Sequence, residues 1–154
     1  MPRITPEDYS KIEAAIQPQG TEDFVVVWHL RHGRWMRSIH VFERQPMTKE
    51  ITEYENTASK LKFKGNKAEV EGSQTLAAKN LYDKLVARVY DLPVGRQVLG
   101  EFGKGGPLTR DEAIREVPVL VKREAIREFV GEVYSASRLA ESEGDAEEPA
   151  TEGD

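Results

Sequence analysis

The chain has 154 residues, no cysteine and a formal net charge of −5. That length accommodates one ordinary domain around one hydrophobic core, and no apolar run reaches the roughly 18 residues a membrane span needs. The missing cysteines exclude a disulfide framework, a thiol nucleophile and a thiolate metal site, which fits a cytosolic setting.

The opening stretch MPRITPEDYSKIEAAI carries acidic residues and no continuous apolar segment, so it does not read as a secretory signal. It reads as a helix start instead. Thr5 stands at the N-cap, Pro6 at the first helical position, and Glu7 and Asp8 lie where the helix dipole favours anions. Tyr9, Ile12 and Ile16 fall on one helical face, and Pro18-Gln19-Gly20 ends the helix.

Residues 23–42 form the clearest element. Two β-branched and aromatic runs meet at His32-Gly33, a strong hairpin signal. With that dipeptide as the loop, Leu30 faces Trp35, Trp28 faces Arg37, Val26 faces Ile39 and Phe24 faces Val41. One face is then almost wholly apolar and expected to seek the core, while the other carries Val25, Val27, His29, Met36, Ser38 and His40. A slip of one residue would exchange the faces.

Beyond Phe42 the segment Glu43-Arg44-Gln45-Pro46 leaves the sheet. Thr48 is the expected N-cap of a helix of about three or four turns marked by Ile51, Tyr54, Ala58 and Leu61. Residues 61–71 admit two readings. Either Gly65-Asn66 turns a small hairpin pairing Phe63 with Ala68, Lys62 with Glu69 and Leu61 with Val70, or the helix continues to Lys64 and 65–72 is loop. The hairpin brings Lys62–Glu69 and Lys60–Glu71 charge pairs together and is the preferred reading.

Ser73 caps a helix predicted to run to about Asp91, with Ala78, Leu81, Tyr82, Leu85, Val86 and Val89 on its apolar face and Pro93 and Gly95 at its end. Five glycines and Pro107 in residues 95–106 and beyond make 95–108 read as a mobile linker before the last helical unit. Thr109 and Glu112 form a capping box for a short helix, and Pro118 restarts it. Leu120, Val121, Ile126, Phe129, Val130, Val133 and Tyr134 define a long final amphipathic helix ending near Leu139. From Glu141 to Asp154 there are seven acidic residues and no Lys or Arg, which leaves 20 acidic and 22 basic residues in the body. The expected organisation is a single α+β domain over 1–140 and a disordered acidic tail over 141–154.

Residues for chemistry are sparse. His29 and His40 share a face but stand several pairs apart, and His32 sits in the turn, so zinc binding is disfavoured against plain hydrogen bonding. The stretch EFGKGGPL contains Gly103-Lys104, but residue 98 is Val where a phosphate loop needs Gly, and Gly105 follows the Lys. No pair of residues stands out for acid–base or nucleophilic roles, so no enzyme, cofactor or metal is expected. Arg31, His32, Arg34, Arg37 and Arg44 lie among Trp28 and Trp35, a pattern that can hold phosphates and stack bases. Against this, the near-neutral body gives little nonspecific attraction, and Arg37 can simply stack on Trp28 across the ladder.

Three segments carry a family likeness. One contains Arg44, Pro46, Thr48, Glu50 and Tyr54; one reads L-Y-D-x-L at Leu81, Tyr82, Asp83 and Leu85; one reads V-K-x-x-A-I at Val121, Lys122, Ala125 and Ile126. Across roughly residues 24–135 this resembles the tail assembly chaperones of tailed bacteriophages and prophages. The resemblance implies a non-enzymatic factor of the host cytoplasm that shields or organises the tape-measure protein. Its partners would be phage tail proteins, with the tail tube protein and a second copy of the chain as further candidates, and neither membrane nor nucleic acid among them. The candidate client face is the final helix, through Leu120, Ile126, Phe129, Val130, Val133 and Tyr134; packing of that helix on the hairpin is the preferred alternative. A structural virion component such as a head–tail adaptor, and then a nucleic-acid-binding module, are the competing functions.

Overall fold

In a computed structural model of the protein, residues 4–16, 23–59, 61–64, 67–70 and 73–131 are described. The order is α1 (Pro6–Ile16), β1 (Asp23–Arg31), β2 (Arg34–Phe42), α2 (Thr48–Ala58), β3 (Leu61–Lys64), β4 (Lys67–Val70), α3 (Gln74–Leu85), β5 (Val86–Tyr90), β6 (Leu92–Val94), β7 (Gln97–Leu99) and α4 (Arg110–Glu116). A last helix, α5, is described over 119–131. The class is α+β, centred on an antiparallel sheet of order β1-β2-β5. No helix among the described residues is long and apolar enough to cross a membrane.

The central hairpin has the expected register, with Phe24↔Val41, Val26↔Ile39, Trp28↔Arg37 and Leu30↔Trp35. His32 (φ 52°) and Gly33 (φ 75°) make the two-residue turn with positive φ at both positions that matches the right-handed strand twist. The core, however, is distributed differently from the sorting of the faces. The apolar face buries Phe24, Ile39 and Val41 under Ile12 and Ile16 of α1, a small cluster that Tyr90 completes. The larger core lies against the mixed face, where Val25, Val27 and Phe42 meet α3, α4 and α5. Phe42 stacks on Phe129 at 4.2 Å and meets the edge of Tyr82 at 5.8 Å. The sheet is therefore covered on both sides, and the mixed face accommodates its polar residues by bonding them to each other.

Two of the predicted boundaries move. The N-cap of α2 is Met47 rather than Thr48, because Glu50 accepts the Met47 N–H (2.9 Å) while its carboxylate is gripped by Arg44 (2.6 and 3.0 Å). The second hairpin forms, pairing Leu61 with Val70, Lys62 with Glu69 and Phe63 with Ala68; Lys60, Gly65, Asn66 and Glu71 lie outside the described residues. The helix opened by Ser73 stops at Leu85 instead of near Asp91. Residues 86–90, VARVY, are rich in strand formers and gain a ladder against β2 with Ile39↔Tyr90, His40↔Val89 and Val41↔Arg88. Arg110 of α4 makes the abrupt stop tolerable. Its guanidinium donates to the carbonyls of Asp83 (2.6 Å), Lys84 (3.0 Å) and Val86 (2.9 Å), groups a helix end leaves without intrahelical partners.

The segment 95–108, expected as a linker, is laced into the body. β6 and β7 pair through Leu92↔Leu99 and Val94↔Gln97. Asp91 N–H donates to Gly100 O (2.8 Å), Phe102 N–H to the Asp91 carboxylate (2.8 Å), and Leu108 exchanges backbone bonds with Val89 (2.8 and 3.2 Å). Gly100 has φ +65°, and a Cβ there would lie 2.8 Å from Val89 O and 2.9 Å from Leu108 N. Its glycine serves close approach, not freedom of movement. Thr109 and Glu112 form the expected capping box, and Val117, ahead of Pro118, is extended (φ −73°, ψ 121°) as its proline requires.

Candidate functional site

Two arrangements concentrate polar chemistry: a chain inside the fold and a surface at the hairpin tip. Inside, on the mixed face, Ser38 Oγ lies 2.7 Å from both His29 Nε2 and His40 Nε2, and His40 Nδ1 lies 2.7 Å from the Tyr82 hydroxyl of α3. A polarity that starts at Tyr82 accounts for all three contacts. Burial raises the Tyr82 pKa well above the ordinary phenol, with Asp83 adding to the effect, so the hydroxyl keeps its proton and donates it to His40 Nδ1. His40 Nε2–H then donates to Ser38, and Ser38 O–H donates to His29 Nε2. Both imidazoles are neutral in this arrangement. Burial, and then repulsion from His29, hold His40 down at about 3; burial and then Arg31 lower His29.

A serine between two histidines has the elements of an activated nucleophile. Ser38 and His40 are nevertheless fully buried and His29 nearly so, and no opening onto Ser38 exists in the clefts described below. These side chains join β1, β2 and α3. Among the described residues no group of three or more His, Asp or Glu is placed to hold a metal.

Beside it, Lys122 of α5 is buried with its Nζ 2.7 Å from the Asp83 carboxylate and 2.8 Å from Ile114 O, and 5.5 Å from the Tyr82 ring centroid. Asp83 also receives Lys79 at 3.1 Å. The residues of the family-like segments thus meet in pairs: Arg44 with Glu50, and Asp83 with Lys122. Those pairs fasten the fold. The cation–π contact sits here, at Lys122 over Tyr82, while Trp28 and Arg37 are partners across the ladder.

At the hairpin tip the sheet runs beyond its helical covers. Leu30 and Trp35, cross-strand partners, are 60% and 44% exposed. On the opposite face Arg31 and Arg34 are paired, and the β6–β7 turn approaches them, with Arg31 donating to Pro93 O (3.3 Å). A cleft of about 380 Å³ opens between the two turns, lined by Arg31, His32, Arg34, Met36 and Arg96 among others, and by no acidic residue. A second crevice, of about 70 Å³, separates α2 from α3 and is lined by Glu50, Glu53, Tyr54 and Lys84.

The predicted client face of the last helix is divided by the fold. Ile126, Phe129 and Val130 point into the main core, whereas Leu120 is 67% exposed next to exposed Val119. Val133 and Tyr134, and the expected end near Leu139, lie outside the described residues, as does the acidic segment 141–154. Reading the sequence did not single out Arg96 or the Tyr82 end of the polar chain. Arg96 reaches the cleft through a turn that looked like linker, and Tyr82 reaches His40 across 42 positions of sequence. The one available signal was polar residues at alternating positions 38 and 40 in the half of the strand, 38–42, that is buried. No family model, curated protein or solved structure matches the chain.

Proposed function

We propose that the protein is a non-enzymatic protein-binding factor of phage tail morphogenesis, similar in role to tail assembly chaperones, which engages the tape-measure protein in the host cytoplasm. The observation that carries a protein-binding role is the exposed Leu30–Trp35 pair at the end of the hairpin. A large aromatic and an aliphatic side chain, exposed side by side across the ladder, have the composition of an interface hot spot. Leu120 and Val119, exposed at the start of α5, offer a second apolar foothold. The class of client comes from the family-like segments around Arg44, Tyr82 and Lys122. A long helical client with apolar patches suits surfaces of this kind.

The test is co-expression of the full chain with the tape-measure protein encoded in the same genome. The chain is expected to raise the soluble yield of the tape-measure protein and to co-purify with it, and Leu30→Ser with Trp35→Ala to weaken that association at least tenfold. Unchanged tape-measure solubility refutes the reading. Stoichiometric retention of the chain in purified particles would make it a head–tail adaptor or other virion component instead.

A further inference from the structure

We propose that the cleft between the two hairpin turns is a binding site for a phosphate-bearing ligand. It stands apart from the Leu30–Trp35 surface, which lies on the other face of the sheet, and does not depend on the protein-binding reading. Three arginines line it: Arg31 at the end of β1, Arg34 at the start of β2 and Arg96 in the β6–β7 turn. No acidic side chain lines the cleft, and among the described residues none of the three arginines is in a salt bridge. Arg44, by contrast, grips Glu50, and Arg115 lies 3.7 Å from the Glu116 carboxylate.

The frame is stiff. His32-Gly33 is a two-residue turn with positive φ at both positions, and Gly95-Arg96 is a second two-residue turn with φ +60° at Gly95. Arg31 is steered by its bond to Pro93 O, which links the two turns (3.3 Å) and leaves its remaining N–H donors for a ligand. Such a backbone frame needs little rearrangement on binding.

The ligand class follows from charge density. A cleft of about 380 Å³ is the size of a small-molecule site. Three positive charges in that space call for a ligand carrying more than one negative charge per group. A phosphate does so, and its oxygens match the planar donor fork of arginine. Single carboxylates spaced along a peptide bring less charge per volume. The same phosphate chemistry is offered by a free nucleotide and by the end or backbone of a nucleic-acid strand, with Met36 as the apolar wall beside it.

The test uses the full chain in calorimetric titrations with pyrophosphate, adenosine triphosphate and a ten-nucleotide single-stranded DNA at low and physiological salt. Arg34→Gln and Arg96→Gln, both at exposed positions, are compared with Arg127→Gln on helix α5, and circular dichroism confirms that each variant is folded. Saturable one-to-one binding of pyrophosphate is expected, weakened about tenfold or more by Arg34→Gln and by Arg96→Gln and less than twofold by Arg127→Gln. Tighter binding of the oligonucleotide with a steep salt dependence identifies a strand as the source, and tighter binding of the triphosphate identifies a free nucleotide; either upholds the site. Absence of saturable binding overturns the proposal, as does equal weakening by all three variants. Tighter binding of a peptide with the sequence of residues 141–154 than of pyrophosphate also overturns it, by making the cleft an acceptor for acidic peptide.

Discussion

The buried imidazole of His40 makes a quantitative demand on stability between pH 6.5 and 5. Its folded-state pKa is held at about 3 against an ordinary 6.5. As pH falls below 6.5 the unfolded chain therefore takes up a proton that the folded chain refuses. Stability present above 6.5 is lost at about 1.4 kcal/mol per pH unit for this one group, or roughly 3 kcal/mol by pH 4.5. That is a sizeable share of the ~5–15 kcal/mol typical of a domain. His29 acts in the same direction, since its pKa is also lowered. The groups packed around the chain do not ease protonation: Tyr82 keeps its proton and donates it to His40, and the Lys122 ammonium lies over the same ring. Glu50, held at about 2 by its hydrogen bonds from Arg44 against an ordinary 4.5, acts in the same direction, but its contribution is lost only below pH 4.5. The interval from 6.5 to 5 belongs to the histidines. Urea denaturation at half-unit pH steps and constant ionic strength, followed by the fluorescence of Trp28 and Trp35, measures the slope. In His40→Gln the overall stability falls, because the chain is cut, but the slope flattens by about one proton. An unchanged slope in that variant, or a flat wild-type profile down to pH 5, would refute the reasoning.

Two further outcomes follow from the same core. Lys122→Ala leaves Asp83 without its buried partner and Ile114 O without its donor, and should lower stability by about 3 kcal/mol; Lys122→Met, which refills the volume, should cost clearly less, as read from urea midpoints at unchanged m. Gly100→Ala forces a Cβ into Val89 O at 2.8 Å in a left-handed backbone, so a loss of at least about 2 kcal/mol is expected, with faster amide exchange at Val89 and Leu108; if 95–108 were a free linker, the substitution would be silent.

Local patterns carried their own weight in the sequence. Thr5 and Ser73 cap the helices they precede, and the sorting of residues 24–41 determined the hairpin register pair by pair. What stayed hidden depended on contacts far apart in the chain. Leu81, Tyr82, Leu85, Val86 and Val89 satisfy a helical period, yet the last two are buried as strand residues, because a free edge of β2 and the Arg110 guanidinium end the helix first. The glycines of 95–108 look alike in sequence; only the proximity of Val89 and Leu108 distinguishes Gly100 from Gly103, whose Cβ position is open. The apolar stripe of the last helix was legible, but a stripe does not name what covers it. Ile126, Phe129 and Val130 turned out to lie within the fold's own core.

Apolar contact holds surfaces together without telling them where to stop. Helix α3 could shift along β2 by one turn, about 5.4 Å, and still cover a similar apolar area. The hydroxyl of Tyr82 could not, because the shift would strand it and His40 Nδ1 as unpaired polar atoms in the interior, at about 1–3 kcal/mol each. The row of four polar side chains thus acts as a ruler laid between sheet and helix. It removes a sliding degree of freedom that a wholly hydrocarbon interface would have left open.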